Sequence, residues 1–235
     1  MKIVTLASVR GAPGVTTTSL LLASTFTGAA VVEADLDGGV LAIRYGLGRE
    51  PGLTTFAAAG HDGPDGWRAH AQDAGGVPVL VGPDAPQASA SLWRAAGERI
   101  TRHLAAADGI AVVDAGRMRT LVPIVTASDV LAVLVCPVAE QLVALSNLLP
   151  VLRQAIRCQP VVVLVGNGPY RAADVENSLG VTVVAHLPED REAAETLRNG
   201  GSGTRLNRSR LARSVTALGT QLGDSLVETA RSEAS

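Results

Sequence analysis

Apolar residues along the chain fall into two spacings. Short, nearly continuous β-branched runs at 2–8, 30–35, 77–81, 109–114, 130–136, 161–165 and 181–187 read as strands buried on both faces. Between them, longer Ala- and Leu-rich stretches at 16–27, 88–107, 139–156, 171–179, 191–198 and 209–227 read as helices. In the last of these, Leu211, Val215, Leu218 and Leu222 form an apolar stripe behind a Ser209 cap, suited to docking on a sheet. The alternation predicts an α/β protein with parallel strands covered by helices on both sides. No internal repeat interrupts it, and the Gly/Pro-rich stretch at 60–66 reads as a surface loop.

Composition narrows this picture. A chain of 235 residues suits one large domain over 1–235, with the tail from about 223 onwards expected to fray. At 47% hydrophobic but 3% aromatic, the core is built from Ala, Val and Leu, as in tightly wound α/β proteins. The net charge of -2 gives no global attraction to nucleic acid or anionic lipid, so any such partner requires a local patch. Cys136 and Cys158 stand apart from any cluster of histidines or further cysteines and read as buried thiols in a reducing cytoplasm. With no bilayer-length apolar run and no signal-like start, the expected location is the cytoplasm. His61, His70, His103 and His186 are scattered and form no triad pattern, and Trp67 and Trp93 read as helix-packing residues.

Candidate chemistry begins at "SVRGAPGVTTTSLLLA", between the first predicted strand and the first predicted helix. A helix start at that point offers unpaired N–H groups and a positive dipole end to an anion. Gly11 and Gly14 let the backbone curl inward, and Thr16 places a hydroxyl where a Mg²⁺ ligand would sit. Taken alone, the stretch also fits an ordinary tight βα turn with two glycines.

The order of motifs over most of the chain resembles the MinD/ParA family of deviant Walker-A ATPases. Arg10, Gly11, Ala12, Pro13, Gly14, Val15 and Thr16 line up with the family's phosphate-binding loop, followed by Thr17. "VVEADLDGG" is similar to its switch I segment, putting Asp35 and Asp37 at acidic positions, and "GIAVVDAGR" is similar to its Walker-B strand, ending in Asp114. "VVVLVGNG" puts Asn167 where the family contacts adenine, and "VVAHLPEDREAAETLRNG" resembles the segment in which Pro188 would border the base. The resemblance implies a three-layer α/β/α P-loop NTPase fold with a mainly parallel seven- or eight-stranded sheet. It also implies ATP with Mg²⁺ as cofactor, at the carboxyl ends of the strands. Thr16 would bind the metal directly and Asp114 through a water; Asp37 would position the attacking water with Asp35 in support. These acids also fit turn and capping roles after a strand.

The departures from the family pattern carry as much weight. Its two loop lysines are replaced by Arg10 and Val15, and Lys2, the only lysine in the chain, precedes the first strand at the far end of the sheet. Losing one cation from a phosphoryl-transfer site costs about 10³–10⁵ in rate, roughly 4–7 kcal/mol. Rapid turnover is not expected. Replacement charge is expected from Arg10, acting across a homodimer interface as the family's first lysine does, and from Arg117 and Arg119 beyond Asp114.

Arg198, Arg205, Arg208, Arg210 and Arg213 follow one another with no acid among residues 198–213, a pattern that fits non-specific DNA binding through phosphate charge. It also fits a solvated basic face, in a protein that uses arginine almost everywhere it needs a cation. The tail carries Asp224, Glu228 and Glu233 against Arg231, so insertion into a membrane interface is not expected. The favoured reading is a positioning or partition protein acting as an ATP-binding dimeric switch with slow or absent hydrolysis. The alternatives are a nucleotide-free pseudo-ATPase scaffold for a positioning, septum, pilus or secretion partner, and an ATP-dependent synthetase of the same superfold. The synthetase is disfavoured because such enzymes depend on the missing lysine.

Overall fold

In the computed structural model, residues 1–11, 14–59, 63, 65–201 and 203–233 are described, the side chains at 204, 205 and 227–233 excepted. The first half runs β1 (Lys2–Ser8), α1 (Val15–Ala23), β2 (Ala29–Glu33), α2 (Leu41–Tyr45), α3 (Leu53–Ala58), β3 (Gln72–Asp73), β4 (Pro78–Leu80), α4 (Pro86–Ala106) and β5 (Ile110–Arg117). A 3-10 turn, Gly66–His70, precedes β3. The second half runs α5 (Pro123–Thr126), β6 (Val130–Val135), α6 (Ala139–Ala155), β7 (Val161–Val165), α7 (Ala172–Leu179), β8 (Thr182–Leu187), α8 (Arg191–Arg198), α9 (Thr204–Asn207) and α10 (Arg210–Glu233).

Among the described residues the strands form an eight-stranded sheet in the order β3-β4-β2-β5-β1-β6-β7-β8. Every pairing is parallel except the edge pair β3–β4. The continuous apolar runs are explained by the two faces each strand must cover. In β6, Leu131, Val133 and Val135 join one core while Val130, Ala132 and Leu134 join the other. The first core is completed by Phe56, Trp67, Trp93, Ile100, Ile124, Leu149 and Val175, from α3 to α7. The second is completed by Leu20 and Leu22 of α1, Leu197 of α8, and Leu211, Val215, Leu218 and Leu222 of α10. The predicted α10 stripe docks as expected.

Several boundaries differ from the sequence pattern for local reasons. Helix α1 stops at Ala23, short of 27, because the Ser24 and Thr25 hydroxyls donate back to the Leu21 and Leu22 carbonyls, both at 2.7 Å. The edge strand β3 was not predicted; Gly75 and Gly76, both with positive φ, turn it back onto β4. Helices α2, α3, α5 and α9 are too short for periodicity to register. The loop expected at 60–66 lies largely outside the described residues. No helix among the described residues is long and apolar enough to cross a membrane.

The central strand β1 lies between β5 and β6, and its chain leaves through α1 towards β2, whereas later strands are added beyond β6 on the other side. This reversal opens a crevice at the carboxyl end of β1, the place where open α/β sheets bind ligands.

Candidate functional site

The loop at this crevice is organised by small residues. The buried Ser8 hydroxyl at the end of β1 donates to the carbonyls of Gly11 (3.0 Å) and Gly116 (3.3 Å), tying the loop to the end of β5. Gly14 caps α1 in the left-handed region (φ 78°, ψ 31°), which glycine adopts without the Cβ penalty of other residues. Its carbonyl accepts from Thr18 N, closing the first helical turn. Among the described residues no side-chain hydrogen bond caps α1 and no acid stands in its first turn, which leaves its leading N–H groups available to an anion. Ala12 and Pro13 lie outside the described residues. Val15 is 2% exposed and belongs to the core that includes Leu20 and Leu22. Val15, which the sequence resemblance aligns with a loop lysine, is thus absorbed into packing.

Carboxylates come from β2 and β5. Glu33 and Asp114 are paired in register on these neighbouring strands, and both are buried. Asp114 accepts the Gly116 N–H (3.1 Å), and the Thr16 side chain close by favours its ionised form. Burial nonetheless pushes its pKa up from 3.8 to about 7, with the charges of Glu33 and Asp35 adding to the effect. Glu33 is raised by burial too, although its carboxylate accepts from the N–H groups of Val40 (2.6 Å), Leu41 (2.8 Å) and Gly82 (2.9 Å). Asp35 is raised by burial and by the neighbouring Asp37, while the Asp37 N–H donated to it (2.8 Å) and Arg119 oppose the rise. Asp37 is more open and ion-paired with Arg119 (2.9 Å) and Arg117 (3.5 Å).

Gly116 has φ +54°, and a Cβ there would run into the Asp35 carboxylate. Gly116→Ala is therefore expected to cost about 1–2 kcal/mol for the left-handed backbone alone, and more because Asp35 must move. Chemical denaturation of the variant beside the wild type measures it.

Two clefts meet at the loop. One, of about 400 Å³, is lined by Gly11, Gly14, Val15, Thr16, Thr17, Asp35, Asp37, Arg44, Gly116, Arg117 and Arg198. The other, of about 640 Å³, lies over the ends of β7 and β8 and includes Asn167, Pro188, Val165 and Leu187. They share Gly14, Thr17 and Arg198. The tertiary structure thus brings together the predicted Gly11, Gly14, Val15, Thr16, Thr17, Asp35 and Asp37 in one cleft and Asn167 and Pro188 in the next. Asp114 lies beneath, in contact with Thr16. Arg10 is exposed and lines neither cleft. Lys2 pairs with Asp129 at 3.3 Å, at the amino end of β1.

The arginine run is divided by the fold. Arg198 ends α8 at the cleft, while Arg208, Arg210 and Arg213 are exposed around the start of α10, where Arg213 donates to the Arg208 carbonyl. The Arg205 side chain lies outside the description. Sequence reasoning missed Glu33, Arg44 and Gly116. For Glu33 the signal was a charged residue closing an otherwise apolar strand, "AAVVE"; Arg44 sat in a stretch with no legible period.

The fold and its crevice define a three-layer P-loop NTPase architecture. No family model and no curated protein matches the chain by sequence, but solved structures match it through the fold. A ParA family ATPase from Chlorobium tepidum superposes with a TM-score of 0.74 at 16% identity, covering 94% of this chain and 98% of that one. The cell division ATPase MinD of Pyrococcus furiosus gives 0.72 at 18% identity, over 95% and 98%. The septum site-determining protein MinD of Pyrococcus horikoshii, complexed with Mg-ADP, gives 0.69 at 15% identity, over 94% and 95%. Within the P-loop class, the chain has the MinD/ParA-like fold.

Proposed function

We propose that this protein is a positioning or partition protein of the MinD/ParA type, a dimeric switch that binds ATP and hydrolyses it slowly or not at all. The observation that carries the reading is the contrast within one cleft. The left-handed glycine at the start of α1, the lack of a side-chain cap there and the closeness of Thr16 to Asp114 are kept, while the lysine position is buried as Val15.

The residues present fit a Mg-nucleotide. Thr16 and Asp114 offer hard oxygen donors, the leading N–H groups of α1 suit phosphate, and Asn167 and Pro188 border a cleft large enough for a base. A bound Mg²⁺ supplies the positive charge that the crowded carboxylates lack. Asp114, whose pKa burial raises to about 7, would be drawn towards its ionised form by that charge. Turnover is slow for two reasons. No lysine stabilises the transferring phosphoryl group, and Asp37 is already held by Arg119 and Arg117.

Calorimetry with Mg-ATP, with molecular mass measured on the same samples, tests the proposal. The expected result is binding coupled to dimerisation, with hydrolysis about 10³–10⁵ slower than in a lysine-bearing relative. Arg10→Ala is expected to abolish the dimerisation, as its exposed position outside the clefts suits a contact with a second copy. Absence of binding at millimolar Mg-ATP would overturn the switch and leave the nucleotide-free scaffold in its place.

A further inference from the structure

We infer that Arg198 has taken over the charge of the missing loop lysine, from α8 and within the same chain, making the site selective for the longer phosphate chains. The inference rests on the nucleotide-binding reading above. The phosphate-side cleft contains three arginines, of which Arg117 is engaged with Asp37. Arg44 and Arg198 have no acid partner among the described residues. Of these two, Arg198 alone lines both clefts, and it does so beside Gly14 and Thr17, the residues at their junction. A ligand with its base near Asn167 and its phosphates on the start of α1 must cross that junction.

The placement is built by the fold. Asp190 caps α8 by accepting the Ala193 N–H (3.1 Å), and Ala193 and Leu197 are buried in the α1/α10 core. Leu197 therefore anchors the last turn and sets Arg198, one residue on, at the exposed rim. Immediately after α8, Gly200 turns with φ +71° against the Arg44 carbonyl, so the ends of α8 and α2 meet and bring their two arginines to the same cleft. A guanidinium there has donors to spare for phosphate oxygens, and its planar fork suits them better than an ammonium.

Arg198 also stands in the last turn of α8, where a cation favours the helix dipole. A helix-end role alone would leave nucleotide preference unchanged, so the discriminating measurement is affinity against phosphate number. Mg-ATP, Mg-ADP and AMP are titrated into wild type, Arg198→Ala and Arg198→Lys, with circular dichroism confirming the fold. The expected result for Arg198→Ala is about 10- to 100-fold weaker Mg-ATP binding, the loss of one charge-assisted contact. A smaller loss is expected for ADP, little change for AMP, and an intermediate position for Arg198→Lys. Wild-type binding with an unchanged ATP:AMP ratio in Arg198→Ala would overturn this inference and leave the nucleotide reading standing. Failure of the wild type to bind any of the three would overturn both.

Discussion

Replacing Glu33 with alanine is expected to destabilise the protein by about 3 kcal/mol. The carboxylate is 2% exposed and accepts from three backbone N–H groups: two where the chain enters α2, at Val40 and Leu41, and one at Gly82 beyond β4. Alanine leaves those donors unpaired at about 1–3 kcal/mol each, offset in part because the charged carboxylate no longer has to be desolvated. The surrounding backbone is fitted closely to it. A Cβ at Gly39 would meet the carboxylate itself and one at Gly82 the Glu33 carbonyl, so glycine at both positions lets the backbone approach Glu33 closely. Glu33→Gln keeps acceptance towards Val40 and Leu41 but turns an amide donor towards Gly82, and is expected to cost about 1–2 kcal/mol. Urea denaturation of both variants orders the three proteins. The functional consequence follows from position, since the segment Glu33 holds leads into the helix carrying Arg44.

Asp114→Asn is expected to act in the opposite direction, and in a pH-dependent way. Well below pH 3.8 the wild-type carboxyl is protonated in folded and unfolded chains alike, and the substitution is near neutral. As pH rises, the unfolded chain ionises at the ordinary 3.8 while the folded group holds its proton until about 7, so the wild type loses stability across that window. Above it the loss is complete and corresponds to as much as ~4 kcal/mol at 1.36 kcal/mol per pH unit. The asparagine variant escapes this loss and remains able to accept the Gly116 N–H. Denaturation at pH 4 and pH 8 is therefore expected to show a variant little different from wild type at the lower pH and distinctly more stable at the higher. A stability difference independent of pH would contradict the assignment. The same substitution is expected to weaken Mg²⁺-dependent nucleotide binding, a conflict between stability and function common at sites that crowd like charges.

Where periodicity was strong, the sequence was an accurate guide. The seven predicted strands all exist, with ends differing by at most a few residues, because a strand buried on both faces must be apolar at nearly every position. The long helices were legible for the complementary reason: one stripe docks and the rest is wetted. Short elements such as α2, whose five residues complete little more than one turn, carry no periodic signal. Two residues of β3 are equally silent, and only the Gly75-Gly76 turn marks their hairpin.

The linear arrangement by itself determined the paired glycines of the first loop between a strand and a helix, the carboxylates near it and the absence of a lysine from it. These depend on residue identity next to a strand end or helix start, and local order along the chain is enough to establish them. Only the tertiary structure decided which charges share a space. Glu33 and Asp114 are 81 residues apart in sequence yet in register on neighbouring strands, where the charge of Glu33 raises the cost of ionising Asp114. Arg198 lies within a basic run in the sequence but leaves it in the fold. α8 and α10 are separate helices, and burial of Leu197 directs the end of α8 to the cleft. Electrostatic energy depends on distance and burial in three dimensions, and neither is encoded by neighbours along the chain.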